Sequence, residues 1–155
     1  MVSGRKKLKK KGDMEIFSGE LWGLLELKLG KQPVIIALSG PFGAGKTTFT
    51  KYLASHAGVT DTIVSPTFIL SWEYDTRLPQ LSLVHIDAWR IEKEEELLRL
   101  GWMEFLERKS LVVVEWADRV AQTIEKAQEQ AVVYRINLSY GKNKDERMIE
   151  WEGMV

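Results

Sequence analysis

Residues 40–47 read G-P-F-G-A-G-K-T and fit the spacing G-x-x-x-x-G-K-[ST] at every fixed position. The residue types suit a phosphate. Glycines let backbone N–H groups turn inward and approach anionic oxygens with no Cβ in the way. A helix opening near Lys46 would aim its unpaired N–H groups and the positive end of its dipole at the same anion. Lys46 has the reach for the outer phosphates, and the Thr47 hydroxyl is a ligand type for Mg²⁺. The loop is flanked as such a cradle requires: the apolar run "PVIIALSG" precedes it and the helical stretch "KTTFTKYLASHAG" follows.

Phosphate chemistry with a divalent metal also needs carboxylates. Asp87 follows "LSLVHI" and Glu115 follows "SLVVV", so both stand at the ends of buried-type strands. In parallel α/β sheets, ligands sit outside the carboxyl ends of the strands. Both acids would face the glycine loop if their strands lie beside the first one. One would hold Mg²⁺, and the other would hold or polarise an attacking water.

The elements that must position these groups alternate between strand and helix. "EIFSGELWGLLELKLG" reads as a short strand or turn followed by a short helix, with Ser18 as N-cap, Leu21, Leu24, Leu25 and Leu29 on one face, and Gly30 as the stop. Pro66 keeps Ser65 extended or in a turn, and "FILSWEY" alternates as a strand does. "EKEEELLRLGWMEFLER" reads as one helix, with Leu97, Leu98, Leu100, Phe105 and Leu106 available to cover a sheet. "AVVYRINLSY", "GKNKD" and "ERMIEWEG" read as a C-terminal antiparallel hairpin. The expected fold is therefore α/β: a three-layer sandwich around a central, mainly parallel sheet, of the kind that carries such glycine loops.

Composition bounds the rest. The 155 residues, 45% of them hydrophobic, suit one domain with one sizeable core. Residues 1–12 carry Arg5, Lys6, Lys7, Lys9, Lys10 and Lys11 and no acid, so a basic disordered tail is expected there, with the domain over 13–155. The remaining 16 basic residues stand against 22 acidic ones, which argues against a body that grips a nucleic-acid backbone over a broad surface. The absence of cysteine excludes disulfides and thiolate chemistry and is compatible with the cytoplasm. No apolar run reaches the roughly 18 residues of a membrane span.

In this order and at these separations, "GAGKTTF", "SPTF", "HIDAWR", "LGWMEFL" and "VVVEW" resemble the bacterial TsaE (YjeE) ATPases, from about residue 15 to the end. That family takes part in making threonylcarbamoyladenosine on tRNA. The resemblance implies ATP and Mg²⁺ as cofactors, with Gly43, Ala44, Gly45, Lys46, Thr47 and Thr48 around the phosphates. It implies Thr47 and Glu115 on the metal, Asp87 as the catalytic or water-mediated acid, and a switch-like loop at 65–68 with Thr67 near the outermost phosphate. It further implies a TsaB–TsaD complex as partner and contact with tRNA through that complex. The chain departs from the family pattern at Pro41 and Phe42 (usually Asp-Leu), at Trp89 (usually Tyr), in E-W-A-D for E-W-P-E, and at Trp22 for threonine.

Two other readings of the glycine loop are a small-molecule kinase and an ATP-gated module whose hydrolysis is incidental. Between Gly58 and Asp87 the only arginine is Arg77, which leaves little for a kinase lid. "KNKDE" at 142–146 echoes a guanine-reading signature but falls in the hairpin turn. His85 reads as a core or sheet-edge histidine with no partner, and His56 as a helix-end residue. Of the six tryptophans, Trp116 beside Glu115 is the functional candidate.

Overall fold

A computed structural model describes residues 2–153. Seven strands form one sheet in the order β1-β7-β6-β2-β5-β4-β3. They are β1 (Val2–Leu8), β2 (Val34–Ser39), β3 (Ser71–Asp75), β4 (Ser82–Asp87), β5 (Leu111–Glu115), β6 (Val132–Tyr140) and β7 (Arg147–Gly153). The four central strands run parallel, β6 to β2, β2 to β5 and β5 to β4. Antiparallel strands close both edges: β3 on β4, and β7 and β1 beyond β6. The expected α/β sandwich and the C-terminal hairpin are both present.

The central strands are apolar on both faces because helices cover both. On one face, α1 (Lys11–Leu25) and α2 (Lys46–His56) pack with Leu21, Trp22, Phe49 and Leu53 against Ile36, Leu38, Leu83 and Val113. On the other lie α3 (Glu94–Arg99), α4 (Trp102–Glu107), a 3₁₀ turn (Ala117–Val120) and α5 (Ala121–Ala127). There Leu97, Trp102, Leu106 and Ile124 pack against Ile35, Val84, Ile86, Val112 and Val114.

The N-terminal expectations are corrected. Residues 2–8 are not a solvated tail but edge strand β1, in register with β7 from Val2↔Gly153 to Leu8↔Arg147. The basic run is matched by acids far along the chain: Arg5 Nε lies 3.1 Å from Glu150 Oε1, and Lys7 Nζ 3.0 Å from Glu146 Oε1. Leu8 is buried, and the indole of Trp151 fills the space a Cβ on Gly4 would need. A boundary at residue 12 therefore cuts through the fold. The helix also begins earlier than expected, because Asp13 Oδ2 accepts from the backbone N–H of Lys9 at 2.7 Å and of Lys10 at 3.3 Å. Ser18 lies inside α1, where its hydroxyl donates to the Glu15 carbonyl, and so is not an N-cap. Leu24 and Leu98 are exposed. The single helix expected over 92–108 is two, because Gly101 adopts φ 101°, a left-handed conformation that ends α3 and starts α4.

Candidate functional site

The glycine loop connects β2, in the middle of the sheet, to α2. Gly40 (φ 139°) and Gly45 (φ 110°) take backbone angles that an L side chain resists, and a Cβ on Gly40 would collide with the Leu138 carbonyl oxygen of β6. No side chain caps α2, so its first N–H groups are left facing the loop. The neighbouring hairpin holds the outer side of the loop: Arg147 Nη2 donates to the Gly43 carbonyl at 3.1 Å, and the Tyr140 hydroxyl donates to the Phe42 carbonyl. These two supports lie about a hundred positions from the loop, and no local pattern in the sequence marks them.

Strand order brings the acids to this loop. β5 lies directly beside β2, and Glu115 is in register with Leu38. β4 is one strand further out, and Asp87 is in register with Glu115. Alternation along each strand puts Glu115 with Val113, and Asp87 with Leu83, on the α1–α2 face. Glu115 and Asp87 are only 3% and 4% exposed, so each needs hydrogen-bond donors.

Those donors divide the two carboxylates by the segment each is tied to. Thr47 Oγ1 donates to Glu115 Oε2 at 3.0 Å. Asp87 Oδ2 instead accepts from Thr67 Oγ1 at 2.8 Å and from Ser65 Oγ at 3.3 Å, while its Oδ1 accepts from the Trp89 N–H at 2.9 Å. Glu115 is thus tied to the glycine loop, and Asp87 to the "SPTF" segment. Pro66 is buried at the base of that segment, whereas Phe68 is 83% exposed and Val64 and Ile69 are also exposed. The Arg90 guanidinium lies over the Phe68 ring at 4.6 Å and makes no ion pair among the described residues.

Lys46 is more buried than a solvent-facing lysine. Its Nζ donates to the carbonyls of Gly40 (2.5 Å) and Pro41 (2.9 Å) and sits 3.8 Å from the centre of the Trp116 ring. Burial pulls its pKa below the ordinary lysine value, and the carboxylates of Glu115, Asp87 and Asp118 oppose that shift without cancelling it. Trp116 takes a left-handed conformation (φ 56°) that turns its indole over the lysine. It packs against Trp89 at a tilt of 45° (4.4 Å between ring centres), and Phe42 closes the triangle edge-on at 4.6 and 4.9 Å. Trp116 therefore belongs to the site, and Phe42 and Trp89, noted in the sequence only as departures, form its aromatic wall.

His85 has a partner, contrary to expectation: its Nε2 lies 2.7 Å from Glu115 Oε1, and the ring is fully buried. All the site residues named from sequence except Ala44 line or adjoin one cavity of about 440 Å³, bounded by the loop, Ser65, Thr67, Asp87, Trp89, Arg90, Glu115 and Trp116. Ala44 is buried beneath the loop. A larger hollow of about 690 Å³ lies beside α5 on the open face of β6 and β7 and contains none of these groups.

A glycine loop leading into a bare helix N-terminus, a buried lysine and two carboxylates at the carboxyl ends of parallel strands define the class: an α/β protein whose loop has the chemistry to receive a phosphate-bearing ligand. The family model "Threonylcarbamoyl adenosine biosynthesis protein TsaE" matches residues 9–149. The chain belongs to the TsaE family. It is 38% identical over 101 residues to the "tRNA threonylcarbamoyladenosine biosynthesis protein TsaE" of Bacillus subtilis, an alignment covering 65% of this chain and 61% of that relative. The Treponema pallidum protein of the same name is 35% identical over 103 residues, or 66% of this chain and 74% of the relative. The crystal structure of Bacillus subtilis YdiB superposes with a TM-score of 0.70 over 99% of this chain and 87% of that one; at 24% identity the likeness is one of fold.

Proposed function

We propose that this chain is an ATP-hydrolysing subunit required for the threonylcarbamoyladenosine modification of tRNA, that it acts with a TsaB–TsaD type complex, and that it meets tRNA through that complex. The reading rests above all on one contact, Thr47 Oγ1 on Glu115 Oε2 at 3.0 Å beside the glycine loop. A hydroxyl and a carboxylate that meet at the mouth of a phosphate cradle are the ligand types Mg²⁺ takes next to a nucleotide. Among the described residues no group of three or more acidic, histidine or cysteine side chains gathers to hold a metal alone. That suits a cation completed by phosphate oxygens and water.

The residues present fit ATP and Mg²⁺. Gly43, Gly45, Thr48 and the start of α2 offer backbone N–H groups to the phosphates, whereas the Ala44 N–H donates to the Pro41 carbonyl at 3.2 Å and would have to leave it to join them. Lys46, held on loop carbonyls and short of solvent, is an ammonium that gains by turning to an anion. Thr47 and Glu115 would hold the metal, which when bound would neutralise phosphate charge. Asp87, backed by the Trp89 N–H, orients the attacking water, and Thr67 links that acid to the 65–68 loop. Both carboxylates are shielded from bulk water, where electrostatic positioning is strongest.

The test is steady-state ATP and GTP hydrolysis by this chain, alone and with the TsaB–TsaD pair. Slow ATP turnover that the pair accelerates is expected. Phosphoryl transfer to a metabolite in place of water would overturn the proposal, and so would a high basal rate indifferent to the pair.

A further inference from the structure

We infer that His85 is a positioning residue that aims the Glu115 carboxylate at the metal, an inference that rests on the proposed function and assigns one more residue to its site. Alternation along β4 places Leu83, His85 and Asp87 on one face, and His85 is in register with Val113, one row below the Asp87–Glu115 pair. Across the sheet that row continues with Val113 and Ile36, both buried and apolar. A polar ring at full burial is costly there unless it is hydrogen-bonded.

The ring makes one hydrogen bond. Its Nε2 is 2.7 Å from Glu115 Oε1, while Nδ1 has no partner among the described residues. An ionised carboxylate only accepts, so the Nε2–H donates to it. The two oxygens of Glu115 are thereby distinguished. Oε1 is tied down to His85 inside the sheet, and Oε2 points up to Thr47 Oγ1, 3.0 Å away at the loop. The imidazole thus fixes the rotation of the carboxylate, so that one oxygen faces the site where the metal would sit. Hydrogen bonds behind a ligating carboxylate set metal affinity in this way, and losing one lowers affinity about 10–100-fold.

The experiment is Mn²⁺ titration of the full chain, read by electron paramagnetic resonance, with the β,γ-imido analogue of ATP. Affinity for that analogue without metal is measured in parallel. His85→Leu fills the space and removes the donor. His85→Gln places an amide nitrogen near the position of Nε2, and His85→Asn places one near Nδ1. The expected result is about 10–100-fold weaker Mn²⁺ binding in His85→Leu and His85→Asn. His85→Gln should recover most of the loss, and metal-free nucleotide affinity should be alike in all four proteins. If His85→Leu fails to fold, the contrast between the Gln and Asn variants decides the same question. Native Mn²⁺ affinity in His85→Leu, or equal losses in Gln and Asn, would overturn the inference alone. A wild-type chain that takes up no Mn²⁺ with the nucleotide would overturn the proposed function as well.

Discussion

Replacing Lys46 with methionine separates what this residue does for the fold from what it does for the ligand. In the fold, its ammonium makes two hydrogen bonds, to Gly40 and Pro41, and a cation–π contact with Trp116. Hydrogen bonds to a charged group contribute about 1.5–3 kcal/mol each, and a cation–π contact about 0.5–2 kcal/mol. Against them stands the desolvation of an ammonium in a residue only 5% exposed, a cost of several kcal/mol. Desolvation is also the largest cause of its lowered pKa. The opposing contributions are of similar size, and methionine keeps most of the stem volume. Lys46→Met should therefore change unfolding stability by no more than about 1 kcal/mol, the scale of a typical single substitution. Nucleotide binding should respond quite differently. One charge-assisted contact to phosphate at about 1.5–3 kcal/mol corresponds to about a 10- to 150-fold loss of affinity, and turnover should vanish. Urea denaturation and calorimetric titration with ATP measure the two quantities on the same preparation. A folded Lys46→Met protein that binds ATP within about threefold of the wild type would refute the phosphate role of the loop.

Three further outcomes are expected. The folded pKa of Lys46 is lowered, so between that value and the ordinary lysine value of the unfolded chain the unfolded state holds more protons, and stability rises with pH across the window. Wild type should accordingly gain on Lys46→Met in urea midpoint as pH is raised from neutral toward 10.5, and parallel pH curves would refute the buried-ammonium account. Leu8→Ala should cost about 2–4 kcal/mol in urea denaturation, since the side chain is buried under β1; a loss below about 0.5 kcal/mol would show that residues 2–8 do not pair with β7 in solution. Thr67→Ala removes the 2.8 Å hydrogen bond to Asp87 and should lower the partner-stimulated ATPase rate more than the basal one, with equal reductions counting against a switch role for the loop.

What was legible in the sequence is what short-range chemistry dictates. The glycine loop carries its own backbone demands. β2, β4 and β5 announce themselves as apolar runs because both faces are covered, and an acid ending such a run has nowhere to sit except at the carboxyl edge of the sheet. What escaped was set by residues distant in sequence. Six basic residues near the start resemble a solvated tail until Glu150 in β7 and Glu146 just before that strand are brought alongside them. The start of α1 is set by Asp13 reaching back to Lys9 and Lys10, a cap less apparent than a serine before a leucine run. α5 was not anticipated, since Ile124 and Ala127 are its only buried residues and a helix with so thin an apolar face leaves little periodicity to read.

His85 lies between these two cases, and it shows where sequence patterning stops being informative about a site. Its place two residues before Asp87 on a buried strand already assigned it to the face that carries that acid, because side chains alternate with a period of two. The same alternation put Glu115 on that face of β5. The reading of a partnerless histidine failed because nothing in the local pattern says that β4 and β5 are neighbours, or that their parallel register sets His85 one row behind Glu115. Once strand order is known, the pairing follows from burial alone. A fully buried imidazole and a carboxylate 3% exposed, on adjacent strands of one face, must each find a partner, and the 2.7 Å contact between them serves both. The acid left to the "SPTF" segment is then Asp87, and the acid aimed at Thr47 is Glu115, so a histidine in the apolar interior separates the roles of two carboxylates that stand side by side in the sheet.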